Sequence, residues 1–315
     1  MKWRIRTAAM FVVMTLILLV IGSFVGYLFN SMWLGLFIML GISIVFNLYA
    51  YFFSKKSALR ANKARIVTEA EEPRLYAIVR GVADKAGVPM PEVGVSEMYM
   101  PNAFATGRNP KDAAVVATRG LLNLLSDSEL EGVIAHEMAH VKNRDILVMS
   151  IASTMAAVLS YLSRYAIWMV MASNNNRNAA TYAIAIALSI TVPIAAMLVQ
   201  LGVSRNREYL ADETGARFTG NPRALASALR TIETGVGSPK NDYNNNSYAD
   251  MWISNPVRSK KSWFSKLFST HPPMDDRIAR LNALADKMDS SGGRMPPQQQ
   301  QDPFKKTKRR SSSDV

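Results

Sequence analysis

The sequence predicts an α-helical membrane protein that carries an α+β soluble domain. Three observations predict it. Residues 7–29 and 32–53 are apolar and contain no charged residue. Short segments between residues 90 and 120 alternate in twos and are separated by Pro, Asn and Gly. A capped helix then carries His136-Glu137-Met138-Ala139-His140.

The two apolar blocks open the chain. Each is long enough to cross a hydrocarbon core of about 30 Å as a helix. The first is too long for a cleaved signal peptide, lacks a clear A-x-A site, and is followed at once by the second. Lys2, Arg4 and Arg6 precede the pair, and Lys55, Lys56, Arg60, Lys63 and Arg65 follow it. The link at Asn30–Ser31 is uncharged. This asymmetry predicts a hairpin, residues 1–53, with both basic flanks in the cytoplasm. The formal charge is +13, of which residues 301–315 supply +3 and the rest of the chain +10. Its juxtamembrane share favours anionic lipid headgroups over nucleic acid, and no nucleic-acid partner is expected. The chain has no cysteine, so disulfides and Cys-based metal sites are excluded.

Residues 54–145 form the first soluble part. The stretch from Ala58 to Val88 reads as helix, with Pro73 opening a second one at its first turn. PEVGVSEM, NAFATG and DAAVVATRG read as strands of a sheet of about three. Ser126, with Glu129 three residues on, is a capping box, and Leu130, Val133 and Ile134 give the following helix a buried face.

Residues 146–171 and 180–203 are again apolar, interrupted by Arg164 and Pro193. They predict a second hairpin over 146–203, membrane-spanning or, as the alternative, a pair of buried core helices. Either way the chain returns to its starting side. Residues 204–289 form the second soluble part. It is helical from Ser204 to Glu233, a polar loop over 237–262, and helical again after Pro272-Pro273. Residues 290–315 form a low-complexity basic tail expected to be disordered.

The chemistry lies at 136–140. Residues i and i+4 share a helix face, so His136 and His140 can hold one ion. Glu137 is turned about 100° from the first imidazole, which aims its carboxylate beside the ion. This is the H-E-x-x-H arrangement of two zinc ligands and a general base. Two histidines on a helix surface are the plainer alternative, but the chain has only three histidines and two lie here. Catalytic zinc needs a third protein ligand. Glu208 follows the second hairpin and so emerges on the same side as His136. Asp212, one turn on, could accept a hydrogen bond from a ligand imidazole. Asp145, Glu213 and Asp275 compete with Glu208 on spacing alone.

HEMAHVKNRD, two apolar blocks, NREYLAD and STHPPMDDRI, in that order over about residues 1–285, resemble the HtpX-type membrane zinc endopeptidases, which are related to the larger CAAX prenyl proteases. The resemblance implies a zincin-like domain in which His136, His140 and Glu208 ligate one Zn²⁺ and Glu137 is catalytic. It implies that Asn102, Ala103 and Phe104 belong to an edge strand that takes an extended peptide. It further implies that His271 helps hold the developing oxyanion and that Arg277 supports it. Expected substrates are membrane or unfolded proteins, in a quality-control and stress-response role. A prenyl-peptide protease is the rival enzyme reading, although those cousins have more spans than the four candidates here. A lipid-binding scaffold with structural histidines is the rival without catalysis. Cleavage of an unlipidated casein-like substrate tests the first, and zinc stoichiometry tests the second.

Overall fold

A computed structural model describes residues 2–28, 30–155, 205–235 and 272–291. The expected second span of the later hairpin, His271, the loop at 237–262 and the basic tail beyond Ser291 lie outside the described residues.

Helices α1 (Lys2–Leu28) and α2 (Met32–Ala61) form the expected hairpin, turning at Asn30, whose φ is 57°. They approach closely at Gly22 and Gly35, where a side chain on Gly35 would run into the Gly22 carbonyl oxygen. Asn47 donates to Thr15 Oγ1 between them at 3.0 Å. Among the described residues, α2 is the helix long and apolar enough to cross a membrane. Trp33, Phe37, Val45 and Phe52 are all exposed on it, a surface that water would penalise and lipid would not.

α2 continues to Ala61, well past the apolar block. The chain then makes strand β1 (Ala64–Ile66), where the sequence had suggested helix. Ala64–Ile66 pairs antiparallel with β2 (Glu92–Ser96), and tertiary pairing overrides the local helical pattern there. The sheet therefore has four strands, not three, in the order β1-β2-β4-β3. β4 (Ala113–Thr118) is central and parallel to β2, while β3 (Ala103–Gly107) is antiparallel to β4 and ends the sheet.

Helix α3 (Pro73–Ala86) starts at Pro73 as expected and stops at Gly87 in the left-handed conformation. After the short α4 (Arg119–Leu124), α5 (Asp127–Lys142) begins with the anticipated capping box between Ser126 and Glu129. α6, described over Ile146–Met155, packs Leu147, Val148 and Ile151 against Met10, Met14, Leu18 and Ala50 of the first hairpin. The helical stretch after residue 204 is two helices, α7 (Arg205–Thr219) and α8 (Pro222–Gly235), and α9 (Met274–Ser290) follows the prolines. Leu130, Val133, Ile134 and Met138 of α5 lie in one core with α3, the sheet, α8 and α9. The H-E-x-x-H helix is thus at the centre of this core. Its polar side chains at 136, 137 and 140 are buried with it.

Candidate metal centre and active site

Gly215 sets the approach of α7 to α5. A Cβ there would meet Ala135 and His136 backbone atoms at 2.8 Å, so only glycine allows this contact. Two turns earlier on α7, Glu208 is fully buried against both histidines. Its Oε2 lies 3.5 Å from His136 Nε2, and its Oε1 lies 3.4 Å from His140 Nε2. These separations are long for hydrogen bonds. They match the roughly 3.3 Å between ligand atoms in a tetrahedral zinc shell with bonds near 2.0–2.1 Å. The imidazole rings stand perpendicular, at 89°, with centroids 4.9 Å apart. One donor atom from each of His136, His140 and Glu208 lies within 4.8 Å of the other two. Two imidazoles and one carboxylate are a donor set that suits zinc.

The competing carboxylates are elsewhere. Glu213 pairs with Arg217 at 2.6 Å. Asp275 is exposed at the start of α9. Asp145 stands behind His140, with Oδ2 3.7 Å from Nδ1, and meets Arg207 at 3.2 Å.

Asp212 stands behind His136 in the same way but closer, 2.9 Å from Nδ1. Arg277 of α9, 1% exposed, grips this carboxylate with two bonds, Nε to Oδ2 at 2.9 Å and Nη2 to Oδ1 at 2.6 Å. Its Nη1 lies 3.9 Å from Glu208 Oε2. Arg277 therefore joins the cluster on the Nδ1 side of His136, bound to Asp212.

Glu137 is buried, and its Oε2 accepts a hydrogen bond from the Ala105 backbone N–H at 2.9 Å. Asn102 is tied to β4 by its own backbone: its carbonyl accepts from Thr118 N at 2.9 Å, and its N–H donates to Thr118 Oγ1 at 2.9 Å. Backbone groups alternate along a strand, so Asn102, Phe104 and Thr106 bond inward to β4. Ala103 and Ala105 turn their N–H and C=O groups away from β4, and the Ala105 N–H meets Glu137. Phe104 packs its ring under α2 with Ala58 and Val116. Ala105 is thus a site residue the sequence reading missed. Strand alternation counted from the Asn102–Thr118 contact would have found it, but that register is not legible without the fold.

Electrostatics follow from burial and partners. Burial raises the pKa of Glu137, and Glu208 adds to this, against the lowering effects of both histidines and the Ala105 N–H. Burial opposes ionisation of Asp212, yet Arg277 and His136 outweigh it and hold the carboxyl at about 2. Burial also opposes the charged form of His140, but Asp145 and Glu208 outweigh it and push its pKa up to about 10. His136 is raised in the same way by Asp212 and Glu208. Imidazoles that attract protons this strongly sit in a pocket of negative potential, which is what a divalent cation requires.

A buried trio able to hold one cation, with a further buried carboxylate on the next residue and the end strand of the sheet beside it, is the arrangement of a metal-dependent peptidase. Residues 69–285 match Peptidase family M48, and the chain belongs to that family. It is similar to Protease HtpX homologs from Thermococcus sibiricus, at 44% identity over 90% of this chain and 97% of the relative, and from Thermococcus kodakarensis, at 45% over 90% and 97%. A third, from Kineococcus radiotolerans, is 45% identical over 89% of this chain and 96% of its own length. Among solved structures, S. mikatae Ste24p superposes with a TM-score of 0.50 at 18% identity, covering 84% of this chain and 62% of that one. That likeness speaks to the fold. The protein is a zinc metalloprotease, and the scaffold reading falls.

Proposed function

We propose that this chain is a multi-pass membrane endopeptidase, with its centre on the cytoplasmic side, that cleaves membrane and misfolded proteins in quality control. The observation that carries the reading is the pair of Nε2 atoms, one from each histidine, at 3.4–3.5 Å from the two oxygens of Glu208. His136, His140 and Glu208 hold the zinc. When bound, zinc supplies the Lewis acidity that activates water and polarises the scissile carbonyl. Glu137 takes the proton and returns it to the leaving amine, and its raised pKa suits both tasks. The outward backbone groups of Ala103 and the outward carbonyl of Ala105 hold the substrate extended, as an added strand, while the Ala105 N–H holds Glu137. Asp212 fixes the tautomer of His136, and Arg277 positions Asp212. His271 keeps the role its resemblance implies, as a donor to the developing negative charge.

The residues at 1–53 and 146–203 are the membrane hairpins of this reading, and 54–145 with 204–289 are the two parts of the protease domain. The exposed apolar side chains of α2 and the basic residues that follow them support the orientation. The Glu137→Gln protein should keep one zinc per chain by metal analysis and lose cleavage of unlipidated casein. Persistent cleavage would refute the assignment. The chain lacks cysteine, so single cysteines at Ser31 and Lys56 report sidedness. An impermeant maleimide should label Ser31→Cys on intact cells and Lys56→Cys only after lysis.

A further inference from the structure

The direction of the edge strand relative to α2 carries one more inference, which rests on the reading of α2 as a membrane helix. Two contacts tie the sheet to α2. Lys55 Nζ meets Glu92 at 2.9 Å and Asp112 at 3.2 Å. Seven residues further along the helix, the Asn62 carbonyl accepts from Ser96 Oγ at 2.5 Å. The helix rises about 10.5 Å over those seven residues. The strand from Glu92 to Ser96 rises about 13 Å. The two lengths agree within a side chain's reach, so β2 lies alongside α2 and points away from its apolar part. β4 is parallel to β2 and β3 antiparallel to β4. β3 therefore runs from Ala103 towards the apolar part of α2, and Gly107 is its membrane-side end. A separate contact agrees. Ser150 of α6 meets Thr106 Oγ1 at 2.9 Å, and α6 packs into the apolar layer with Met10, Met14 and Ala50.

Phe53 is the last large apolar residue exposed on α2, and Lys55, two residues on, marks the headgroup level. Those two residues amount to about 3 Å of helix. Gly107 pairs with Ala113, next to the Asp112 that Lys55 holds. From there to Ala105, where Glu137 bonds, β3 covers two residues, about 7 Å. The reacting position thus lies roughly 10 Å from the hydrocarbon edge, about three extended residues. A tilt of α2 changes this little.

We propose that the enzyme measures its cut from the bilayer. A segment leaving the membrane lies along β3, in line with the membrane normal, and is cleaved about three residues beyond the end of its span. The substrate class is therefore the juxtamembrane segment of a membrane protein. Either substrate passes α6, whose Ser150 meets Thr106 and Gly107, but a soluble unfolded chain must also turn back at the bilayer there, and is cut less efficiently.

The test uses the full chain with zinc in phosphatidylcholine–phosphatidylglycerol liposomes. The substrate is a single apolar span followed by a tail of one repeated cleavable unit, so that every position offers the same sequence. Mass spectrometry maps the cuts. Most cuts are expected in the window next to the span, and a short Gly–Ser insertion directly after the span should leave the window where it is, so that cutting moves into other residues. Cuts spread evenly along the tail, or cuts that move outward with the insertion, overturn the proposal. The same liposomes are given casein. Casein cleavage that Glu137→Gln abolishes, together with evenly spread cuts, sinks the ruler and leaves the protease reading standing. No cleavage of either substrate overturns both. Loss of the chain from the membrane on carbonate extraction overturns the membrane reading on which the ruler rests.

Discussion

The two imidazoles of the centre are backed by the same two residue types in the same order, a carboxylate and then an arginine, yet the two supports differ in tightness. Behind His136, Asp212 is at 2.9 Å and Arg277 holds it with two bonds. Behind His140, Asp145 is at 3.7 Å and Arg207 meets it at 3.2 Å. The tight support joins three separate helices, α5, α7 and α9. In the loose one, Asp145 lies five residues after the histidine it backs, and its N–H bonds the His140 carbonyl at 3.0 Å. The backbone at the end of α5 therefore fixes Asp145, and its side chain reaches His140 from a constrained place. Asp212 and Arg277 come from helices that can dock to suit the ring. The difference suggests that the orientation of His136 depends on tertiary docking and that of His140 on local chain geometry.

The largest expected effect comes from cutting the tight support at its arginine. Arg277→Met leaves Asp212 buried without its counter-charge and should cost about 3–5 kcal/mol. Thermal unfolding of the zinc-free chain in detergent measures it, with Arg207→Met as the partner variant. The second should cost less, and equal losses would dissolve the contrast. Next is Asp212→Asn, expected to weaken zinc binding about 10–100-fold in a chelator competition. Asp145→Asn should change the same affinity less, because at 3.7 Å Asp145 acts on His140 through its charge and not through a formed hydrogen bond.

The smallest effect is protonic. Buried carboxylates raise the pKa of both imidazoles in the zinc-free chain, that of His140 up to about 10, so zinc competes there with protons. Zinc must displace them, so its affinity should rise with pH and its uptake should release protons. Calorimetry in two buffers of different ionisation enthalpy reads that release, and a buffer-independent heat would contradict it. In the zinc-free chain the same raised pKa stabilises the fold below the unfolded value of roughly 6.5, and the contribution is lost as pH rises through about 10.

Much of this centre was legible from local pattern. Four-residue spacing on a capped helix put His136 and His140 on one face, and Ser126 with Glu129 marked where that helix starts. The apolar hairpin, its turn at Asn30 and the start of α3 at Pro73 were legible for the same reason. Ala64–Ile66 was misread because its strand character comes from the partner β2 and not from its own residues. Ala105 was missed because which backbone groups face outward depends on register with β4.

Helical periodicity, capping chemistry and the absence of charge act within a few residues of one another, so the sequence alone determined the helices, the paired imidazoles and their adjacent glutamate. The tertiary structure decided which of several carboxylates meets them, and that Arg277 is spent on Asp212. Those contacts join helices far apart in the chain, and their distances depend on docking. Gly215 against the backbone of Ala135 and His136 allows that docking, and no local pattern encodes it.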